Sequence, residues 1–161
     1  MAIFFLRGVE RLALVEWQYW SIAAIPVNLT NLLNAIDPAS DTIFTMPDIP
    51  TNARILFGPN QTDWYVILQN VSRTTSVSGN DMLMRVTADN ITLSNPVANQ
   101  TISGVVVAIH NQDEFFDNTP LLFIMNQGTG LPYVTSAGVG VQIRFDSSPN
   151  GIITYRGTNA T

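Results

Sequence analysis

The run Ile102–Ile109 (ISGVVVAI) is the feature that most restricts how this chain can fold. From Gly104 onward it offers no polar side chain to either side of a strand. A segment so short and β-branched, bounded by Asn, Gln and Thr, reads as a central strand buried on both faces. Leu121–Met125 (LLFIM) is a second run of the same kind.

Other strand signals surround these two. Arg54–Phe57 and Trp64–Leu68 flank Gly58-Pro59-Asn60-Gln61-Thr62-Asp63, which predicts a hairpin with a six-residue loop. Met82–Thr87 and Ile91–Ser94 flank a turn at Ala88-Asp89-Asn90. Val139–Phe145 alternates, with Val139, Val141, Ile143 and Phe145 on one face. Ser147–Gly151 then turns the chain into Ile152–Tyr155, a second expected hairpin.

The N-terminal part behaves differently. Arg11–Ile22 fits alternation and helical spacing about equally, and Trp17, Tyr19, Trp20 and Ile22 favour strand. Thr30–Ile36 reads as a short helix, capped by Asn28 or Thr30 and ended by Asp37-Pro38. Together these signals predict an all-β chain, a single β-sandwich or jelly-roll domain with one short helix. Residues 1–25 form an N-terminal arm or strand segment in this reading, and residues 26–161 the sandwich.

Composition narrows the function. Charged residues make up 12% of the 161, against about 25% in an average soluble protein, and lysine is absent. Asn, Thr, Ser and Gln stand where charge would be. A monomer relies on mixed surface charge to remain unassociated, whereas interface cores deplete Lys and keep Arg. The composition therefore suits a surface covered by other protein; the plainer reading is a polar, uncharged secreted domain. The net charge of −5 and the scattered arginines argue against a nucleic-acid partner, which would require a basic stripe. Ala2–Leu6 is apolar, but Arg7, Glu10, Arg11 and Glu16 interrupt the residues after it, so it is neither a signal-peptide core nor a membrane span. Asn-x-Ser/Thr triplets at Asn28, Asn60, Asn70, Asn90, Asn99 and Asn159 then read as turn chemistry rather than glycosylation sites.

No residue set announces a reaction. His110 is the single histidine, and a Ser–His–acid system built from it with Ser103 or Ser136 lacks a nucleophile elbow. One histidine and no cysteine leave little for zinc. The acidic stretch Asn111–Asn118 could ligate Ca²⁺ but lacks the EF-hand glycine and terminal glutamate, so no metal or cofactor is expected. Carboxylate pairs for glycan hydrolysis, Asp113 with Asp117 or Asp63 with Asp146, follow no spacing rule. Gly128–Pro132 is a turn, not a phosphate loop. The strongest candidate for a binding surface is aromatic: Phe4, Phe5, Trp17, Tyr19 and Trp20, with core packing as the alternative.

Ile25–Ile36 (IPVNLTNLLNAI), followed by Asn52–Asn60 (NARILFGPN), resembles tailed-bacteriophage virion proteins. The resemblance covers roughly residues 1–70 and is closer to head decoration, or cement, proteins than to major capsid proteins. It implies an N-terminal segment and short helix leading into a small β-sandwich that clamps neighbouring capsid subunits, often as a trimer. It carries over no functional residue. The expectation is a non-enzymatic virion subunit that stabilises a capsid shell, its partners being the major capsid protein or other virion subunits and further copies of itself. No membrane is involved in this reading. The alternative is a receptor- or carbohydrate-binding module of a viral fibre, tail or adhesin, presenting Trp17, Trp20 or Trp64 in a groove.

Overall fold

The computed structural model describes residues 2–5, 20–78, 81–111, 120–126, 130–145 and 153–158. In chain order the strands are β1 (Ala2–Phe4), β2 (Trp20–Val27), β3 (Val66–Ile67), β4 (Ser72–Ser78), β5 (Asp81–Thr87) and β6 (Ile91–Leu93). They continue with β7 (Thr101–Ile102), β8 (Gly104–Asn111), β9 (Leu121–Met125), β10 (Tyr133–Val134), β11 (Val141–Ile143) and β12 (Ile153–Thr158). The one helix among the described residues is α1 (Leu29–Ala35), with short 3-10 turns at Met46–Asp48 and Thr51–Ala53. The chain is all-β, and every strand pair whose register is defined is antiparallel. It divides into two compact units, Met1–Ile67 with Leu93–Val141, and Leu68–Thr92 with Gln142–Thr161.

In the first unit the strand order is β1-β9-β8-β2-β3. A strand without polar side chains requires hydrogen bonds on both edges and cover on both faces. β8 has both. It pairs with β2 along its whole length, from Trp20 opposite Asn111 to Val27 opposite Gly104, and with β9 on its other side. Residues 22–27, 104–109 and 121–124 are all buried. On one face Ala23, Ile25 and Val27 of β2 and Val106 and Ala108 of β8 pack with Leu32, Ile36, Met46, Ile49 and Ala53. Each such aliphatic side chain taken from water contributes about 1.5–3 kcal/mol. Strict alternation would set Leu121 and Ile124 of β9 on opposite faces, yet both belong to this cluster. A register shift between Val107 and Ala108 explains it: Phe123 opposes Val107, Leu121 opposes Ala108, and Leu122 is the extra residue of a bulge.

α1 lies where its caps place it. Asn28 is extended, and its Oδ1 accepts the Asn31 N–H at 3.0 Å. The Ser103 hydroxyl accepts the Leu29 N–H at 2.8 Å, so a residue from the β7–β8 junction satisfies a second orphan donor. Ile36 is extended and ends the helix ahead of Asp37-Pro38, where the residue before proline avoids helical backbone.

The loops at one end of this sheet are tied by a neutral polar node. The Gln100 side chain accepts the Leu56 N–H through Oε1 (2.8 Å) and donates from Nε2 to Leu56 O (3.0 Å) and Val97 O (2.8 Å). It thereby acts on Leu56 as a neighbouring strand would. Buried Thr135 donates its hydroxyl to Val97 O at 2.6 Å and accepts the Gln100 N–H at 3.0 Å.

The second unit is more polar. Its three-stranded sheet has the order β12-β5-β4, with Thr87 opposite Ser72 and Arg85 flanked by Thr74 and Thr154. The Ser72 and Thr87 hydroxyls hydrogen-bond at 2.7 Å. β6 and β11 form a separate pair.

Both expected hairpins are replaced by other pairings. Phe57 and Asp63 do exchange backbone hydrogen bonds, at 2.9 and 3.1 Å, around a loop in which Gly58 has φ +88°. A Cβ at Gly58 would overlap the Asp63 carboxylate. Beyond that closure the two runs separate: Arg54 bridges Val27, and Val66–Ile67 becomes β3 on the edge of β2. Likewise β12 pairs with β5, and β11 with β6, instead of with each other. In each case a strand from elsewhere in the chain is the stronger attractor than the chain neighbour.

Two substitutions test this packing. Leu32→Ala removes a side chain that is 0% exposed, and should lower unfolding free energy by about 2–5 kcal/mol in urea titration. Leu33→Ala, one residue on and 40% exposed, should change it by less than about 0.5 kcal/mol. At the polar node, Gln100→Leu strips Leu56 N–H of its acceptor, while Leu56 O keeps the Val97 N–H and Val97 O keeps the Thr135 hydroxyl. A loss of about 1–3 kcal/mol is expected in the same titration.

Candidate functional site

The aromatic residues expected at an interface fall in different places. Phe4 closes β1 opposite Phe123. Phe5 is buried in the core, packed edge-on against Phe44 at 6.0 Å, and its N–H donates to Leu122 O. Trp20 begins β2 opposite Asn111. Trp17 and Tyr19 lie outside the described residues. His110 stands opposite Ser21 near the end of β8, while Asp113, Glu114, Asp117 and Asp146 lie outside the described residues. Ser103 is engaged as a helix cap, and Ser136 is exposed. Among the described residues no three His, Asp or Glu side chains gather as metal ligands, and no helix is long and apolar enough to cross a membrane.

Two surface features of the first unit stand out instead. One is a stack on Arg54. The 3-10 turns at Met46–Asp48 and Thr51–Ala53 curl the chain so that Ile49 O and Pro47 O meet its guanidinium. Arg54 Nε donates to Ile49 O at 2.9 Å and Nη2 to Pro47 O at 3.3 Å. Its Cζ sits 4.0 Å from the centre of the Trp64 ring, a cation–π contact that covers one indole face. Trp64 in turn meets Tyr65 edge-on at 5.3 Å, and both are half-buried against the core. Burial lowers the Arg54 pKa from its ordinary value, yet an arginine remains charged throughout the neutral range. Among the described residues it makes no ion pair.

The other is an exposed turn within a charge-free segment. From Asn118 to Ile143 the sequence contains no Asp, Glu, Lys or Arg. Within it, residues 130–140 form a turn-rich segment with positive φ at Gly130 and Gly138. Val134 is held in β10 by pairing with Thr101 and is 56% exposed; Val139, after the turn closed by its N–H to Ser136 O, is 50% exposed. These are the most exposed large apolar side chains among the described residues.

No protein-family model, curated protein or solved structure matches this chain.

The sequence named Arg54 and Trp64 as opening residues of two hairpin strands, without the contact that joins them. It named Val139 as the first of four alternating residues on one face and passed over Val134. The uninterrupted stretch without charge was the signal that could have revealed this surface. Arg54→Lys keeps the charge but loses the Nε bond and the flat stacking surface. It should lower stability by about 1 kcal/mol and shift the Trp64 contribution to near-ultraviolet circular dichroism.

Proposed function

We propose that this chain is a structural subunit of a virion, a cement or decoration protein that binds a capsid shell and stabilises it without catalysis. The observation that carries this reading is the exposed, charge-free surface around Val134 and Val139, in a chain with 12% charged residues and no lysine. Isolated exposed valines are ordinary, but residues 130–140, exposed at most positions and without one charge, are not how a solvated surface is kept unassociated. Covering such a surface only in the assembled shell stabilises the shell by linkage. The domain in this proposal is a β-sandwich, supported by the closure of both faces of β2, β8 and β9. Partners are the major capsid protein or other virion subunits, with self-association to a trimer. Since Phe5 belongs to the core, the contact is assigned to residues 130–140.

A carbohydrate-binding module would use the half-exposed Trp64 and Tyr65. Arg54 already covers one face of the indole that a sugar ring would stack on, so assembly is the favoured reading.

Val134→Asp and Val139→Asp tests the proposal on side chains whose loss leaves the core intact. Binding to capsids bearing vacant decoration sites, read by co-sedimentation, should weaken at least tenfold (about 1.4 kcal/mol or more) while the thermal midpoint of the isolated chain is unchanged. Undiminished binding would remove this surface from the proposal.

A further inference from the structure

We infer that Arg54 is a preformed receptor for a carboxylate, and that the carboxylate comes from a second copy of this chain. The guanidinium is held before any partner arrives. Nε and one Nη2 hydrogen are engaged by Ile49 O and Pro47 O, and the plane rests on Trp64 at 4.0 Å. Those contacts fix its orientation and partly dehydrate it. Two Nη1 hydrogens and the second Nη2 hydrogen are left, and a carboxylate matches adjacent guanidinium donors in bidentate fashion. Carbonyls and an indole do not neutralise a charge, and among the described residues no carboxylate lies within ion-pair distance of this one.

Charge complementarity selects the occupant. The chain carries 12 acidic residues against 7 arginines, so each copy presents carboxylates in excess. Asp37, Asp48, Asp63 and Asp89 are exposed, and none is ion-paired to an arginine among the described residues. Arg54 and a carboxylate of the same chain are different patches. An Arg54–carboxylate contact between copies forms twice across a two-fold dimer interface, or once per step of a head-to-tail ring. The inference does not depend on the capsid reading, since it concerns the isolated chain.

The experiment is sedimentation equilibrium of the full chain across protein concentration and salt, for wild type, Arg54→Gln and Arg54→Lys. Wild type should self-associate, more weakly as salt rises. Arg54→Gln should weaken association at least thirtyfold, and Arg54→Lys should restore only part of it. Because Arg54 also braces the 3-10 turns, a second measurement uses wild type alone. Phenylglyoxal modification followed by peptide mapping should find Arg54 protected at high protein concentration and reactive at low concentration. A wild type that stays monomeric, an Arg54→Gln variant that associates equally well, or concentration-independent Arg54 reactivity would each overturn the inference. None of these outcomes decides shell binding, which the Val134 and Val139 variants address.

Discussion

Burial of β2, β8 and β9 on both faces is the constraint on which the rest of the first unit depends. With no water above or below, each backbone N–H and C=O of these strands must be paired within the sheet plane. The full-length β2–β8 pairing supplies this on one side, and β9, with its bulge, on the other. Close packing across such a sheet favours small residues where strands are tightest. Ala23 faces Ala108, and Gly104 faces Val27, where a Cβ would press on Ile124. The outer edge of β2 is then finished piecemeal, by β3 opposite Ala23 and Ala24 and by Arg54 opposite Val27. That last bridge is what brings the Arg54 side chain to the carbonyls of Pro47 and Ile49.

The same constraint explains how much was legible in the sequence. β8 and β9 could be read because a run without polar residues has few possible environments. α1 could be read because Asn28, Ser/Thr chemistry and Asp37-Pro38 are local signals, and the structure uses Asn28 as its cap. Among the Asn-x-Ser/Thr triplets, Asn70 and Asn99 hold positive φ, and the Asn90 side chain accepts the Phe145 N–H at 2.9 Å, while Asn159 lies outside the described residues. β4, by contrast, gave no signal. Its sequence, Ser-Arg-Thr-Thr-Ser-Val-Ser, has one large apolar residue, and it is a strand because β5 offers it an edge. Strand partners were equally hidden. A turn such as Ala88-Asp89-Asn90 tells where the chain reverses, not which sheet each side will join, and β5 and β6 join different ones. The Arg54–Trp64 contact was illegible for that reason, since it exists only after the two runs part.

Low charge has two separable origins here. One is internal. Uncharged polar residues perform work that ionic pairs perform in other folds: Gln100 substitutes for a strand, Thr135 joins two loops, and Asn95 donates to Gly58 O at 3.3 Å. Even the carboxylates are turned to neutral partners. Asp37 accepts the Ala39 N–H, Asp48 accepts from Thr45, and Asp89 accepts from Asn70. A chain that organises its turns in this way can dispense with many ion pairs and still be stable, because exposed pairs contribute only about 0–1 kcal/mol each.

That first origin does not account for Val134 and Val139. Their side chains cap nothing and stay half exposed or more, and a charged residue at either position would leave the β7–β10 pairing unaltered. An internal economy of hydrogen bonds explains why Asn and Thr are abundant; it gives no reason for a solvent-facing turn to carry valines in a span without charge. The two patterns meet only if part of the surface is made for contact with protein, and the turn around residues 130–140 is where the internal explanation stops.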